Sequence, residues 1–174
     1  QILNEVFTEF DTLVDRYGVE KIKTIGDAYM VIGKGNVDEV ARLALDMIDA
    51  MHAYCRCHNY PLDIRAGMHV GPTIAGVIGL KRFLYDVWGD AVNTASRMES
   101  TGQAGRIQVS KAVRQALVGS FDFEPRGSIM IKGKGAMPTW FLLGPKQASE
   151  PDSAQVDTCM ASETVGADQR RLAA

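Results

Sequence analysis

Cysteine is scarce in this sequence, and the few cysteines present do not form a disulfide framework. Cys55, Cys57 and Cys159 are an odd number at no disulfide-scaffold spacing, which is typical of a reducing compartment. Cys55, Cys57 and His58 could suggest zinc, but residues two apart on a helix point in different directions and no second ligand pair follows. We interpret these residues as ordinary helix positions.

The sequence also lacks a strong net charge and long hydrophobic runs. Its formal net charge of -2 gives no general attraction to nucleic acid or to an anionic membrane. No hydrophobic run approaches the length of a membrane span. The N-terminus also lacks the basic, apolar and small-residue regions of a signal peptide. We expect a soluble cytoplasmic domain without a nucleic-acid partner or membrane contact from this segment. Recognition of phosphate would depend on locally placed cations.

The length and composition suit one folded domain followed by a tail. The 174 residues, of which 46% are hydrophobic, can form one proper core. From Pro145 to Ala174 the composition shifts to small and polar residues with little apolar periodicity, which is typical of disorder. We predict a folded domain over residues 1–144 and a disordered tail over residues 145–174.

Hydrophobic periodicity predicts alternating helices and strands. An opening helix ends before Gly18, and a second helix runs from Asp38, its expected N-cap, to His58. Between them, alternation predicts a tight β-hairpin that turns at Gly26-Asp27. Beyond the second helix we expect a strand over residues 62–71, a protruding strand pair, a helix, a strand, a short helix and two final strands.

A cluster of polar residues follows the protruding strand pair. Gly89 and Asp90 interrupt the strand pattern in the manner of a helix start, with Asp90 as the expected N-cap. Asn93 and Arg97 are four residues apart, so a helix would place both on one face, where both can donate to the same oxyanion. Asp86 lies just before the turn. This pattern indicates a site for a phosphate-bearing ligand.

Several positions carry polar groups that the local structure does not demand. They are Lys23, Asp27, Asp86, Asn93, Arg97 and Lys132. Taken singly, each has a structural interpretation: Asp27 suits a turn, Lys23 an exposed strand and Arg97 the outer face of a helix. We interpret His69 and Trp88 as core or interface residues. Only the joint occurrence of the six favours a functional site.

Three stretches resemble the class III nucleotidyl cyclase catalytic domain, above all its bacterial, mycobacterial-type adenylyl cyclases. They are Lys-Ile-Lys-Thr-Ile-Gly-Asp-Ala-Tyr from 21, Tyr-Asp-Val-Trp-Gly-Asp-Ala-Val-Asn-Thr-Ala-Ser-Arg-Met-Glu-Ser from 85 and Ile-Lys-Gly-Lys-Gly from 131. Several motifs in the family's order, from the first helix to Gly144, are more specific than any one alone. The resemblance implies a ferredoxin-like α+β core, a βαββαβ sheet with helices on one face. It also implies a homodimer with shared active sites.

The resemblance assigns metal and base recognition to particular residues. In the family, one subunit contributes two aspartates that hold two divalent ions, Mg²⁺ or Mn²⁺, and Asp27 matches the second aspartate. Lys23 and Asp86 match the pair that reads adenine, because an ammonium and a carboxylate complement its ring nitrogens and amine. A guanylyl cyclase would carry an acidic residue in place of Lys23 and a small or thiol residue in place of Asp86. Lys23 and Asp27 would then serve two different active sites.

The same resemblance implies the reaction and its remaining groups. The metal ions would lower the pKa of the ribose 3'-hydroxyl, which attacks the α-phosphorus and releases pyrophosphate. Arg97 would donate to the charge that grows on the phosphoryl and leaving-group oxygens, and Asn93 would orient the ribose. Lys132 matches the lysine that neutralises the triphosphate. The implied enzyme is an adenylate cyclase, a phosphorus-oxygen lyase that produces cyclic AMP in signal transduction.

One family feature is not found in the sequence as given. The family's opening strand, which carries the first metal aspartate, does not precede Gln1. We therefore expect a core without its first strand and, if the protein truly lacks it, little or no turnover. A degenerate nucleotide-binding or interaction module without turnover is the alternative, and a guanylyl cyclase is a weaker one. The retained site residues favour the adenylate cyclase.

Overall fold

The computed structural model describes residues 2–78, 84–131 and 133–146, which form four helices and eight strands. The helices are α1 (Ile2–Tyr17), α2 (Val37–His58), α3 (Asp90–Ser100) and α4 (Lys111–Leu117). The strands are β1 (Glu20–Ile25), β2 (Ala28–Ile32), β3 (Ala66–Met68), β4 (Ile74–Ile78), β5 (Leu84–Trp88), β6 (Ile107–Ser110), β7 (Phe121–Ile131) and β8 (Gly135–Pro145). The order of elements agrees with the sequence prediction. Lys132 and the predicted tail beyond residue 146 lie outside the described residues.

The strands form one four-stranded sheet and two separate hairpins. The sheet has the order β3-β6-β8-β7, with β3 and β6 parallel and the other neighbours antiparallel. The hairpins are β1-β2 and β4-β5. This combination of helices with mostly antiparallel strands confirms the expected α+β class. Among the described strands, β2 and β3 belong to different sheets and do not pair with one another.

Helix α2 joins the hairpin β1-β2 to the four-stranded sheet through apolar contacts on two sides. Ala41, Ala44 and Ile48 are buried in a cluster with residues of the sheet and α4. Leu43 and Met51 are buried in a second cluster, with residues of α1 and the hairpin packed around them. Fully burying an aliphatic side chain contributes about 1.5–3 kcal/mol, so these contacts dominate the arrangement of the elements. Among the described helices, none is both long and apolar enough to cross a membrane.

Helix α3 covers the opposite face of the sheet from α2 and α4. Ile107 and Val109 of β6 point into the cluster with α2 and α4, and alternation along the strand directs Gln108 to the other face. There, Gln108 Nε2 donates to Thr101 Oγ1, directly after α3, at 2.9 Å. A Cβ on Gly67 of β3 would lie 2.0 Å from the backbone nitrogen of residue 99, so only glycine permits this close packing. The resemblance implied helices on one face, and α3 departs from that expectation.

Three local predictions were wrong at element boundaries. The N-cap of α3 is Gly89 and not Asp90, because the chain turns there with a φ of 138°, a conformation that side chains rarely adopt. Asp90 is therefore already the first helical residue and makes no capping hydrogen bond. Similarly, Asn36 occupies the N-cap position of α2, which places Asp38 in the first turn. The strand predicted over 62–71 is reduced to the three residues of β3.

A polar contact fastens the hairpin β1-β2 to α1. Tyr29 of β2 donates its hydroxyl hydrogen to Asp11 of α1. Lys21 of β1 places Nζ 2.6 and 2.9 Å from the two Asp11 oxygens and 4.8 Å from the centre of the Tyr29 ring. The ring also packs against Phe7 and Phe10, with centroids 5.3 and 5.6 Å away. Burial and the hydrogen bond to Asp11 raise the pKa of Tyr29, so the phenol remains a donor at neutral pH.

We expect Tyr29→Phe to lower the free energy of unfolding by about 1–2 kcal/mol, since it removes a hydrogen bond to a charged acceptor and keeps the ring. Urea denaturation monitored by circular dichroism measures this loss. Tyr60→Phe is the matched control, because the Tyr60 hydroxyl makes no hydrogen bond within the described residues, and it should change stability by less than about 0.5 kcal/mol. Equal effects of the two substitutions would contradict the role of the Asp11 contact.

Candidate active site

Lys23 and Asp86, which are 63 positions apart in the sequence, form an ion pair between two hairpins. Lys23 Nζ lies 2.5 Å from Asp86 Oδ2. The side chains are 30% and 17% exposed, so the pair is partly shielded from water. Asp86 Oδ1 also accepts a hydrogen bond from the Val87 backbone at 2.8 Å. The hydrogen bonds from Lys23 and Val87 lower the pKa of Asp86, although burial opposes them, and the carboxylate stays ionised. The structure thus brings together the two residues predicted to read a base.

Asn93 and Arg97 lie together on the outer face of α3, as their spacing predicted. The opposite face carries Thr94 and Met98, which are fully buried against the sheet. Thr94 Oγ1 also donates to the Asp90 carbonyl at 2.8 Å, which steadies the first turn. Within the described residues, neither the Asn93 amide nor the Arg97 guanidinium has a side-chain hydrogen bond or an ion pair. Both groups are therefore available to a ligand outside the chain's own core.

Asp27 lies at the tip of the hairpin β1-β2, and its side chain is exposed. Gly26 precedes it with a φ of 62°, which gives the turn the geometry that glycine tolerates best. A carboxylate is the type of ligand that Mg²⁺ and Mn²⁺ prefer. However, the described residues contain no group of three side chains that could hold a metal ion. Asp27 is a ligand of the right type for a metal site, and no preformed group of ligands surrounds it in the described part of the chain.

The predicted site residues lie apart from a cavity found elsewhere on the described chain. A cavity of about 630 Å³ is found between the start of α1 and the end of α2, and residues such as Leu3, Tyr54 and His58 line it. None of the predicted site residues borders this cavity. A nucleotide needs contacts on several sides, because ligand sites usually bury most of the ligand surface. The described chain alone therefore presents parts of a site on its surface.

Sequence reasoning missed two polar contacts beside α3. Lys134, in the turn between β7 and β8, forms an ion pair with Asp90. His69, which was interpreted as a core or interface residue, places Nδ1 2.8 Å from Ser110 Oγ. The glycines on both sides of Lys134 indicate a turn, but no local pattern indicates that Lys134 pairs with Asp90. The predicted phosphate ligand Lys132 lies outside the described residues, so its role stays a prediction.

Comparisons with known proteins agree with the resemblance seen in the sequence. The family model described as "Adenylate and Guanylate cyclase catalytic domain" matches residues 1–144. The adenylate cyclase of Mycobacterium tuberculosis strain H37Rv is 45% identical over 157 residues, which cover 87% of this chain and 35% of the relative. Human atrial natriuretic peptide receptor 2 is 46% identical over 158 residues, covering 84% of this chain and 15% of the receptor. The chain thus spans about a third or less of the length of these relatives.

A solved structure confirms the fold. The guanylate cyclase domain of RhGC from Catenaria anguillulae, in complex with GTP, superimposes with a TM-score of 0.77 at 37% identity, over 83% of this chain and 82% of that domain. The fold expected from the resemblance, a class III cyclase core, is therefore correct. The chain is similar both to an adenylate cyclase and to a guanylate cyclase domain. The comparisons therefore do not decide between ATP and GTP, and this choice has to be argued from the site residues.

We predict that the contribution of the Lys23-Asp86 pair to the free energy of unfolding depends on pH. Because pairing lowers the pKa of Asp86 below its ordinary value of 3.8, the stabilisation is complete above that value and is lost as pH falls through the lowered one. Lys23→Met should therefore destabilise the protein at neutral pH, and the difference from the unmodified protein should shrink as the pH falls below 3.8. Urea denaturation across this range measures the difference. Lys146→Met, at an exposed lysine, is the control, and a Lys23→Met effect independent of pH would contradict the pairing.

Proposed function

Because the chain belongs to the adenylate and guanylate cyclase catalytic domain family, we propose that it is an adenylate cyclase that converts ATP into 3',5'-cyclic AMP and pyrophosphate. The observation that carries the choice of ATP is the 2.5 Å ion pair of Lys23 and Asp86. The pair supplies a donor and an acceptor on neighbouring hairpins, at the positions that resemble the base-reading residues of the family.

The base preference follows from the hydrogen-bonding pattern of the purines. Adenine presents an amine donor beside a ring-nitrogen acceptor, which complement the carboxylate of Asp86 and the ammonium of Lys23. Guanine presents a carbonyl acceptor and a ring N–H at the same edge, so its pattern is reversed. Each polar group left unpaired in a closed site costs about 1–3 kcal/mol, and a mismatch at two positions would favour ATP strongly.

We infer that the site is completed by a second copy of the chain. Asn93 and Arg97 face away from their own core, and both side chains are exposed, as is that of Asp27. The hairpin β4-β5 exposes Ile74 and Val77, at 72% and 61%, beside the strand that carries the base-reading carboxylate. Exposed apolar side chains of this kind favour a protein-protein contact. In a homodimer, Asp27 of one chain and Asn93 with Arg97 of the other would share one nucleotide.

The chain's own groups have distinct tasks in this reaction. Arg97 would donate two parallel hydrogen bonds to the α-phosphoryl and leaving-group oxygens, whose negative charge grows in the transition state. Asn93 would hold the ribose so that its 3'-hydroxyl lies in line with the bond to be broken. Lys132 would neutralise the triphosphate. Asp27 would hold divalent ions, which supply Lewis-acid activation of the hydroxyl when bound.

A guanylate cyclase is the second candidate, favoured by the likeness to the GTP-bound domain of RhGC. A module that binds nucleotide without turnover is the third, favoured by the lack of a complete metal-ligand set in the described residues. Release of cyclic nucleotide from ATP and GTP by the full-length protein, with Mg²⁺ or Mn²⁺, separates the three.

We expect the double substitution Lys23→Glu with Asp86→Cys to reverse the donor and acceptor pattern and to lower the ratio of kcat/KM for ATP to that for GTP by at least about a hundredfold. Steady-state rates with each nucleotide measure this ratio. Lys34→Met is the matched control, because it breaks an ion pair with Glu20 next to the same hairpin without touching Asp86. A preference of the unmodified protein for GTP would refute the assignment.

The shared site predicts complementation between inactive chains. Asp27→Ala and Arg97→Ala should each reduce kcat by a factor on the order of 100 to 1,000. An equal mixture should regain roughly a quarter of the native activity, since half of the dimers are mixed and each holds one intact site. Each variant mixed with itself is the control. Full activity in either variant, or a mixture no better than its components, would contradict the proposed site.

A further inference from the structure

An ion pair connects the turn between β7 and β8 to the first residue of α3. Lys134 Nζ contacts Asp90 Oδ2, and the side chains of Lys134 and Asp90 are 27% and 75% exposed. Since Gly89 occupies the N-cap position, the Asp90 carboxylate makes no capping hydrogen bond to its own helix. The carboxylate that the sequence suggested as a cap is instead bound to a side chain from another element.

The turn holds Lys134 in a defined place. Gly133 and Gly135 flank it with φ values of 82° and 75°, which allow a tight reversal of the chain. The Lys134 backbone N–H donates to the Ile131 carbonyl at 3.0 Å. An ordinary surface pair contributes little because two long side chains must be ordered. Here the backbone on the lysine side is already ordered, so the pair can fix the relative position of two elements.

His69 lies beside the same pair and is itself held in place. Its Nδ1 is 2.8 Å from Ser110 Oγ, and a Cβ on Gly71 would lie 3.2 Å from its Nε2. Burial lowers the pKa of His69, the Lys134 cation lowers it further, and the Asp90 carboxylate opposes them. The pKa of the His69 imidazole therefore responds to both Lys134 and Asp90.

We propose that Lys134 and Asp90 are positioning residues that fix the first turn of α3 to the β7-β8 turn. The inference rests on the proposed function. Asn93 and Arg97 follow Asp90 on α3, and in the proposed reaction they contact the ribose and the phosphates. The ion pair would align these groups on the phosphates of one nucleotide. Small displacements of such groups cost rate even when binding is kept.

Kinetics of Lys134→Met, Asp90→Asn and the double variant test the proposal in the full-length protein. Each single substitution should lower kcat about tenfold and leave the KM for ATP within about twofold, because alignment and not affinity is lost. The double variant should be no slower than either single one, since both remove the same contact. Native kcat in the single variants, or losses that multiply in the double variant, would overturn the proposal.

Glu99→Gln is the matched control for these kinetics. It breaks the ion pair with Arg65, whose NH2 nitrogen lies 3.0 Å from Glu99 Oε1, near the other end of α3. Its kcat should remain within about twofold of native, because this pair does not join the β7-β8 turn. A tenfold loss here would show that any weakened contact of α3 slows the reaction, and would overturn a specific role for Lys134 and Asp90.

Titration of His69 by NMR supplies a readout that does not depend on turnover. Lys134→Met should raise the pKa of His69, since a nearby cation is removed, and Asp90→Asn should lower it. An unchanged His69 would overturn the geometry. Native kinetics in the variants of an active protein refute only the positioning role, whereas no turnover by the unmodified protein refutes the proposed function and this role with it.

Discussion

Burial of apolar side chains on two sides of α2 is the constraint on which the rest of the structure depends. Ala41 and Ile48 hold the helix to the four-stranded sheet, whereas Leu43 and Met51 hold it to α1 and the hairpin β1-β2. The described strands of these two units are not hydrogen-bonded to one another. The hairpin carries Asp27, and the sheet supports α3 with Asn93 and Arg97. Helix α2 therefore determines where these two groups of proposed site residues lie.

Polar contacts fix the relative positions of elements that apolar packing has brought together. The pairs Lys23-Asp86 and Lys134-Asp90 each connect elements that are distant in the sequence. Ion pairs that are partly exposed to water contribute little to stability, so the main effect of these two pairs is on geometry. In the proposed function, the first would present a donor and an acceptor to a base, whereas the second connects α3 to the β7-β8 turn. Both are thus more informative about function than about folding energy.

The exposed positions of Asp27, Asn93 and Arg97 suit a site that is completed by association with a second copy. Asn93 and Arg97 project outward, and none of the predicted site residues lines the cavity between the start of α1 and the end of α2. If two copies complete the site, activity depends on the concentration and mutual orientation of the copies. Any partner or attached segment that changes this orientation would change the rate without touching a site residue.

Local patterns in the sequence determined the order of elements, the hairpin turn at Gly26-Asp27 and the common face of Asn93 and Arg97, because these depend on periodicity within a few residues. The proximity of Lys23 and Asp86 was expected only through the family resemblance, since 63 positions separate them. Tertiary structure alone decided the partners of Lys134 and His69, which lie 44 and 41 positions away. Such contacts arise when packing brings remote elements together, and no local spacing encodes them.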